Sequence, residues 1–251
     1  MNDCSQANLY LYGILPETVL NCDIEGLDRQ PVQTHEIAGF TFLYSEAQQE
    51  RYLASRRNLL GHERVLEQAM QQGHQALLPL QFGMTITDWA TVERQLVIPR
   101  GEMLKQLFAK LQGRREVGVK VFWEAEQELA ALMQENEALR NSRDRLEGRS
   151  LSMDQVVQIG QAIERAMASR KQQVVDTFRA ALNSLAIEIV ENDALTDAMI
   201  YNAAYLIDWE AEPQFGQAVE TLDQQFEDRL RIRYNSFTAP FNFARLTDDL
   251  N

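Results

Sequence analysis

The stretch that decides the fold is residues 117–123, Val-Gly-Val-Lys-Val-Phe-Trp. Apolar side chains at 117, 119, 121 and 123 alternate with Gly118, Lys120 and Phe122, which is the period of a half-buried strand. This strand opens the second half of the chain, where the elements are easiest to predict.

The pattern downstream of residue 123 alternates between helical and extended periods. One helix is predicted over residues 124–147, and another follows the cap residue Ser152. Strands are predicted at residues 185–189 and 199–207, and Pro213 opens a further helix. In the last strand, Leu230, Ile232 and Tyr234 alternate with arginines. The order strand, helices, strand, strand, helix, strand predicts a ferredoxin-like βαββαβ domain whose first crossover is enlarged into a helical hairpin.

A weak heptad runs along residues 124–147. Leu132, Leu139 and Leu146 are seven residues apart, but Asn136 and Arg143 occupy two of the three partner positions. The pattern favours packing within the hairpin itself, and a partner helix is the alternative.

The first half also mixes strands and helices. A helix over residues 46–72 places His62 on its apolar side, and Pro79 restricts the following strand to an edge or a bulge. A helix capped by Thr87 or Asp88 is predicted to break at residues 99–101, before another that ends at Gly113. Strands are predicted at residues 9–14, 40–44 and 76–82.

The sequence therefore predicts an α+β protein of two domains and a tail. The N-terminal α+β domain covers residues 1–113 and the ferredoxin-like domain residues 114–234. The tail, residues 235–251, is predicted to lie extended against one of them.

The composition excludes several classes of protein. The net charge of −13 is uneven, with a balance of −2 up to Arg115 and −11 from Glu116 onward, so nucleic acid is not an expected partner. No apolar run approaches the roughly 20 residues of a membrane span, and the first residues lack a signal-peptide pattern. The two cysteines, Cys4 and Cys22, are predicted to be reduced thiols.

No arrangement of reactive side chains predicts catalysis, a cofactor or a metal site. The three histidines are scattered, and His62 and His74 are twelve residues apart instead of the four that place two ligands on one helical face. Phosphate loops and nucleophile motifs are missing from the sequence, and its many acidic pairs are typical of solvated faces.

Two features indicate contact with other proteins. Arg229, Arg231 and Arg233 fall on the outward face of the last strand, where they are predicted to be solvated or to pair with neighbouring carboxylates, and contact with an acidic partner surface is the alternative. Leu132 and Leu139, from the heptad, are the second candidate contact.

Six segments in order resemble the gas vesicle protein F/L family and together span nearly the whole chain. One difference lies after the last strand: members often have Gly-Pro-x-Pro-Pro-Tyr-x-Phe where this chain has Asn-Ser-Phe-Thr-Ala-Pro-Phe-Asn-Phe at residues 235–243. The segments are residues 9–14, 62–67, 77–83, 117–123, 202–207 and 226–234.

The resemblance implies an accessory or minor structural protein of gas vesicles, which are gas-filled protein shells within the cytoplasm of some aquatic bacteria and archaea. It implies partnership with the main shell protein, gas vesicle protein A, and with other accessory proteins during nucleation and assembly. No catalytic residues carry over from the family. The alternatives are a ferredoxin-like regulatory module that binds a small ligand and an enzyme with titratable groups gathered in one cleft.

Overall fold

The computed structural model describes residues 8–16, 23–144 and 153–245. Helices and two antiparallel sheets make up this part of the chain, so the prediction of a mixed helix and sheet protein is confirmed. No helix in the described ranges is long and apolar enough to cross a membrane. The predicted cap Ser152, the heptad residue Leu146 and both cysteines lie outside the described residues.

The chain divides into two compact units. Unit 1 comprises residues 1–117, 206–209 and 236–251, and unit 2 comprises residues 118–205 and 210–235. The domain boundaries predicted from the sequence, after residues 113 and 234, stay a prediction.

The sheet of unit 1 has the order β2-β3-β1-β4, with β5 also paired to β1, and its strand pairs are antiparallel. The strand β2 was missed by the sequence analysis. It pairs with β3 through a two-residue turn, Ala38 and Gly39, whose φ angles of 51° and 84° are those of a tight hairpin. The strands are β1 (Leu9–Leu15), β2 (Gln33–Ile37), β3 (Phe40–Glu46), β4 (Leu78–Pro79) and β5 (Thr85–Ile86).

The helix α1 (Arg56–Gln71) is shorter than predicted. Ser55 caps it by accepting a hydrogen bond from the Asn58 backbone N–H at 3.2 Å, so the start predicted at residue 46 is wrong. Its apolar face includes His62, Leu66 and Met70 as expected, whereas Leu59 is 42% exposed.

The helical region after β5 is continuous where a break was predicted. Asp88 caps α2 (Trp89–Val92), accepting from the Thr91 N–H at 2.8 Å. A π-helical turn, Glu93–Val97, leads directly into α3 (Ile98–Leu111). Pro99 lies directly after the π-helical turn, inside a helical run that continues through it, so the break predicted at residues 99–101 is wrong.

The second sheet has the order β7-β8-β6-β9. The predicted helical inner face of α7 is confirmed: Phe215, Val219, Leu222 and Phe226 are all buried. In unit 2, Phe178 of α6 stacks on Phe226 with ring centroids 5.7 Å apart. The elements are β6 (Arg114–Trp123), α4 (Ala125–Glu135), α5 (Glu137–Asp144), α6 (Met153–Leu182), β7 (Glu188–Glu191), β8 (Met199–Asp208), α7 (Glu212–Phe226) and β9 (Leu230–Thr238).

The single helix predicted over residues 124–147 is wrong. Asn136, with φ −107° and ψ 91°, separates α4 from α5. Its side-chain oxygen accepts a hydrogen bond from the Leu139 N–H at 3.0 Å, so this polar residue of the heptad caps the second helix.

The segment after β9 is extended only in part. Strand β9 continues to Thr238, but the chain then turns, because the N–H groups of Phe243 and Ala244 both donate to the Pro240 carbonyl, at 3.1 and 2.9 Å. Ala239, Phe243 and Ala244 are buried in this turn, which explains how a segment without a clear period is fixed in place.

Candidate interaction site

Two of the three predicted arginines lie on an exposed face of the sheet in unit 2. Strands β6 and β9 are neighbours, and the guanidinium groups of Arg231 and Arg233 lie 4.3 and 5.2 Å from the ring centroid of Phe122. Both arginines are exposed, whereas Phe122 is only 7% exposed beneath them. We call Lys120, Phe122, Arg231 and Arg233 the arginine face.

The alternation of the two strands explains why these side chains share a face. A Cβ built on Gly118 would lie 3.9 Å from the Cβ of Asn235, so the even-numbered residues of β6 and the odd-numbered residues of β9 point to one side. On the other side, Tyr234 stacks on Phe215 of α7 and donates to Glu212 at 3.0 Å. Lys120 and Phe122 were missed as site residues: the predicted strand period placed both on one face of β6, but the pairing of β6 with β9 was not predicted.

The third predicted arginine has a different environment. Arg229 donates two hydrogen bonds to the Glu128 carboxylate, from Nε at 3.0 Å and from Nη2 at 2.9 Å. Arg170 of α6 donates from Nε to the same carboxylate at 2.5 Å and to Glu135 at 2.6 Å. Glu128, whose side chain is 3% exposed, thus joins α4 to α6 and to the start of β9.

The electrostatics of Glu128 favour its ionised form. Burial by itself would raise its pKa, but the hydrogen bonds from Arg229 and Arg170 outweigh burial, and the pKa is lowered from its ordinary value. The carboxylate is therefore charged at neutral pH and holds both guanidinium groups.

Replacing Glu128 by Gln is expected to destabilise the folded chain by about 2 kcal/mol, because two arginines lose their shared anion and the amide nitrogen opposes their donors. The measurement is urea unfolding at pH 7. The control is Glu126→Gln on the same helix, where Glu126 is exposed. Equal stability of the two variants would contradict the importance of this carboxylate.

The two predicted leucine contacts lie inside unit 2. Leu132 and Leu139 are each 8% exposed and form a small core with Met133. This core packs against Ile163 and Met167 of α6, so the heptad serves packing within the hairpin. As partner contacts, Leu132, Leu139 and the three arginines stay a prediction.

Unit 1 contains a buried polar chain around His62. The Tyr10 hydroxyl donates to His62 Nδ1 at 2.9 Å, and His62 Nε2–H donates to the Leu80 carbonyl at 3.1 Å. The Gly83 N–H completes the chain by donating to Tyr10 at 2.9 Å. Burial lowers the pKa of His62 to about 4, so the ring is neutral, which agrees with one nitrogen accepting and the other donating.

A second buried titratable group in unit 1 holds the C-terminal turn. Glu116 accepts hydrogen bonds from the backbone N–H of Asn242 at 2.9 Å and from its side-chain amide at 2.6 Å. Burial raises the pKa of Glu116 to about 7, against the lowering effect of these bonds and of Arg245. This carboxyl group explains why the turn after β9 is fixed, although nothing in the sequence spacing predicts the contact.

Among the described residues, no group of three or more His, Cys, Asp or Glu side chains could hold a metal ion. The perturbed groups His62 and Glu116 are each bonded to backbone or amide partners within unit 1. The arginine face differs from these groups in being exposed and in combining cationic side chains with an aromatic ring.

Comparison with known proteins identifies the class. A sequence model of the family described as gas vesicle synthesis protein GvpL/GvpF matches residues 8–245. The chain belongs to this family, and the resemblance predicted from the sequence is confirmed.

Particular relatives are similar over nearly their full lengths. The chain is 54% identical over 239 residues to gas vesicle protein F of Dolichospermum flosaquae, covering 95% of this chain and 98% of that one. The crystal structure of GvpF from Anabaena sp. PCC7120 superposes with a TM-score of 0.89 at 52% identity, covering 96% of this chain and 99% of that one. The GvpF structure from Microcystis aeruginosa gives 0.84 at 51% identity, covering 96% and 100%. These relatives establish a gas vesicle-associated role.

Proposed function

We propose that the chain is an accessory or minor structural gas vesicle protein that binds the main shell protein, gas vesicle protein A, through the arginine face. It supports nucleation and assembly of the shell in the cytoplasm, alone or with other accessory proteins. The proposal involves no catalytic step, cofactor, nucleic acid or membrane. Its starting point is the family, whose members named above are gas vesicle proteins.

The charge of the arginine face is the observation that supports it as the contact surface. The chain as a whole has a net charge of −13, yet Arg231 and Arg233 lie over one phenyl ring on a sheet face that also carries the exposed Lys120. Arginine and aromatic side chains are enriched in the centres of protein interfaces. A partner surface with carboxylates beside apolar side chains fits this arrangement, because charge complementarity steers the encounter and fixes its register.

The remaining predicted contacts fit the proposal indirectly. Arg229 is bound to Glu128, and Leu132 and Leu139 pack within the hairpin. These residues would stabilise the part of unit 2 next to the arginine face and would not contact the partner themselves.

Binding would also solve a physical problem of shell assembly. A subunit that faces gas must present apolar surface, and before assembly such a surface promotes aggregation. An acidic chain bound to the subunit would keep the complex dispersed, since net charge far from zero opposes association of complexes with one another.

The topology of the second sheet supports the ferredoxin-like assignment. The elements from β6 to β9 follow the order strand, helices, strand, strand, helix, strand, and the strands lie in the order β7-β8-β6-β9. We infer a ferredoxin-like fold for this region, in which α4, α5 and α6 form the enlarged crossover.

The role in assembly is tested in cells from which the protein has been removed. We expect such cells to lose gas vesicles and buoyancy, and to regain both when the wild-type chain is supplied. Normal flotation without the protein would contradict the proposal. Protease treatment of washed vesicles before and after collapse then reports whether the chain remains in the shell and on which face.

A further inference from the structure

The C-terminal turn, residues 239–245, packs onto unit 1 through buried side chains and is shaped by its own backbone. Phe243 and Ala244 are 2% and 4% exposed. The N–H groups of both residues donate to the Pro240 carbonyl within the turn, at 3.1 and 2.9 Å. A segment whose backbone hydrogen bonds are internal can leave the surface without breaking a sheet or a helix, which lowers the free energy of a local opening.

The C-terminal turn also covers a cavity of about 500 Å³ in unit 1. Phe241, Ala244 and Arg245 of the turn belong to the wall of this cavity, and the rest of the lining includes Met84 and Leu96. Departure of the turn would therefore open the cavity and expose its apolar lining to solvent.

Glu116 of β6 is the polar anchor of the C-terminal turn. The residue is 4% exposed, and its carboxyl group accepts hydrogen bonds from the Asn242 backbone N–H at 2.9 Å and from the Asn242 amide at 2.6 Å. Both donors belong to the turn, so the carboxyl group loses them and becomes solvated when the turn leaves. The closed turn thus buries a titratable group that the open turn returns to water.

Closure of the turn is coupled to the protonation of Glu116 for this reason. Burial raises the pKa of Glu116 to about 7 in the closed turn, against the ordinary value of 4.5 that applies once the carboxyl group is solvated. Because the closed form binds the proton more tightly, the stability that protonation gives to closure is complete below pH 4.5 and is lost as the pH rises to about 7. At higher pH, closure must keep a carboxylate buried.

The cations around the turn leave the sign of this coupling unchanged. Arg245 lowers the pKa of Glu116, as the Asn242 donors do, but burial outweighs them. Arg100 lines the same cavity as Arg245, and the Lys110 ammonium group lies 5.4 Å from the centroid of the Phe243 ring. Lysine and arginine side chains are cationic throughout the neutral range, so they add no pH dependence there.

Two titratable groups of α1 also adjoin this segment. Glu63 accepts a hydrogen bond from the Thr238 hydroxyl at 3.4 Å and is only half-buried, so opening changes its solvation little. The His62 ring lies 6.5 Å from the Phe241 ring, but the hydrogen bonds of His62 go to partners outside the turn. Opening of the turn therefore leaves His62 buried and neutral.

We infer that the C-terminal turn is a latch that closes over the cavity while the Glu116 carboxyl group is protonated and opens when this group ionises. The ratio of open to closed chains rises with pH through the neutral range. Opening gives unit 1 an apolar surface whose availability depends on pH. The latch does not involve the arginine face, so it can hold or fail independently of the proposed shell contact.

Hydrogen exchange of the full chain, measured by NMR, tests the latch. The protection factor of the Asn242 backbone amide reports the open fraction, because it is corrected for the intrinsic pH dependence of exchange. In wild type we expect this factor to fall about tenfold between about pH 6 and about pH 8, as the linkage of a carboxyl group with a closed-state pKa of about 7 requires. In Glu116→Gln, which keeps an uncharged acceptor, the factor should not change with pH.

A matched variant and a second amide complete the experiment. Glu63→Gln removes a carboxyl group that also contacts this segment and should keep the wild-type fall. The Leu80 N–H, which donates to the Tyr12 carbonyl at 2.9 Å, should be protected at least about tenfold more strongly than that of Asn242, because it exchanges only when the sheet opens.

Three results would overturn the inference. Equal protection of the two amides would mean that the turn leaves only when unit 1 unfolds. A protection factor of Asn242 that does not change with pH in wild type would remove the coupling to a proton. An unchanged fall in Glu116→Gln would assign the coupling to another group.

Discussion

The free energy of unfolding of the His62→Gln variant should rise relative to that of wild type by about 3 kcal/mol as the pH falls from 7.5 to 4. The Glu116→Gln variant should change in the opposite direction by a similar amount over the same range. Both effects come from buried groups of unit 1 whose pKa values differ strongly from their ordinary values.

The sign for His62 follows from its neutral buried ring. Its pKa is about 4 in the folded chain against 6.5 ordinarily, so below pH 6.5 the unfolded chain binds a proton that the folded chain does not. The stability that the neutral ring contributes is complete above pH 6.5 and is lost as the pH falls to 4. Gln at this position can still donate to Leu80 and accept from Tyr10, but it does not titrate.

The sign for Glu116 is the reverse. Its pKa is about 7 in the folded chain against 4.5 ordinarily, so the folded chain binds the proton more tightly. The stability contributed by this protonation is complete below pH 4.5 and is lost as the pH rises to 7. Between pH 4.5 and 6.5 the opposite pH dependences that His62 and Glu116 give to the free energy of unfolding therefore nearly cancel in wild type.

Urea unfolding of wild type and the two variants at half-unit intervals from about pH 4 to about pH 7.5 measures these differences. Each variant serves as the control for the other, because their stability differences from wild type should have opposite slopes against pH. Parallel profiles for all three proteins would mean that neither group titrates as its buried environment requires.

Reversing the charge of the arginine face should weaken binding to the main shell protein about a hundredfold or more in the double variant Arg231→Glu, Arg233→Glu. Like charges placed against each other in an interface cost several kcal/mol, and about 2.8 kcal/mol corresponds to a hundredfold loss. Both side chains are exposed, so the fold should tolerate the change.

The control for this prediction is the double variant Arg165→Glu, Lys171→Glu, which makes the same change in net charge. Arg165 is an exposed residue of α6, and Lys171 lies on the same helix. An equal loss of affinity in both double variants would assign the effect to net charge and remove the arginine face as the contact.

Elements with a strong period could be predicted from the sequence, and elements fixed by single backbone positions could not. Strand β6 was predicted from the alternation at residues 117–123, and helix α7 from the spacing of Phe215, Val219 and Phe226. Both patterns are regular because every repeat buries an apolar side chain. The hairpin at Ala38 and Gly39 was missed because the sequence Ala-Gly is not the Asn-Gly pair that usually marks a turn with two positive φ angles. Asn136 and Pro99 were misread because a cap and a π-helical turn depend on backbone geometry that periodicity does not encode.

The same distinction applies to the residues of the candidate site. Alternation along β9 placed Arg231 and Arg233 on an outward face, but it could not separate them from Arg229, whose partner Glu128 is 101 residues away.

Direct association between the purified chain and the main shell protein is the most immediate test of the proposed role. In biolayer interferometry with the chain immobilised at low salt, we expect saturable binding that weakens steadily as salt is added, since exposed charge pairs are screened. A sensor that carries the folded chain and records no binding at any shell protein concentration would contradict the proposed contact.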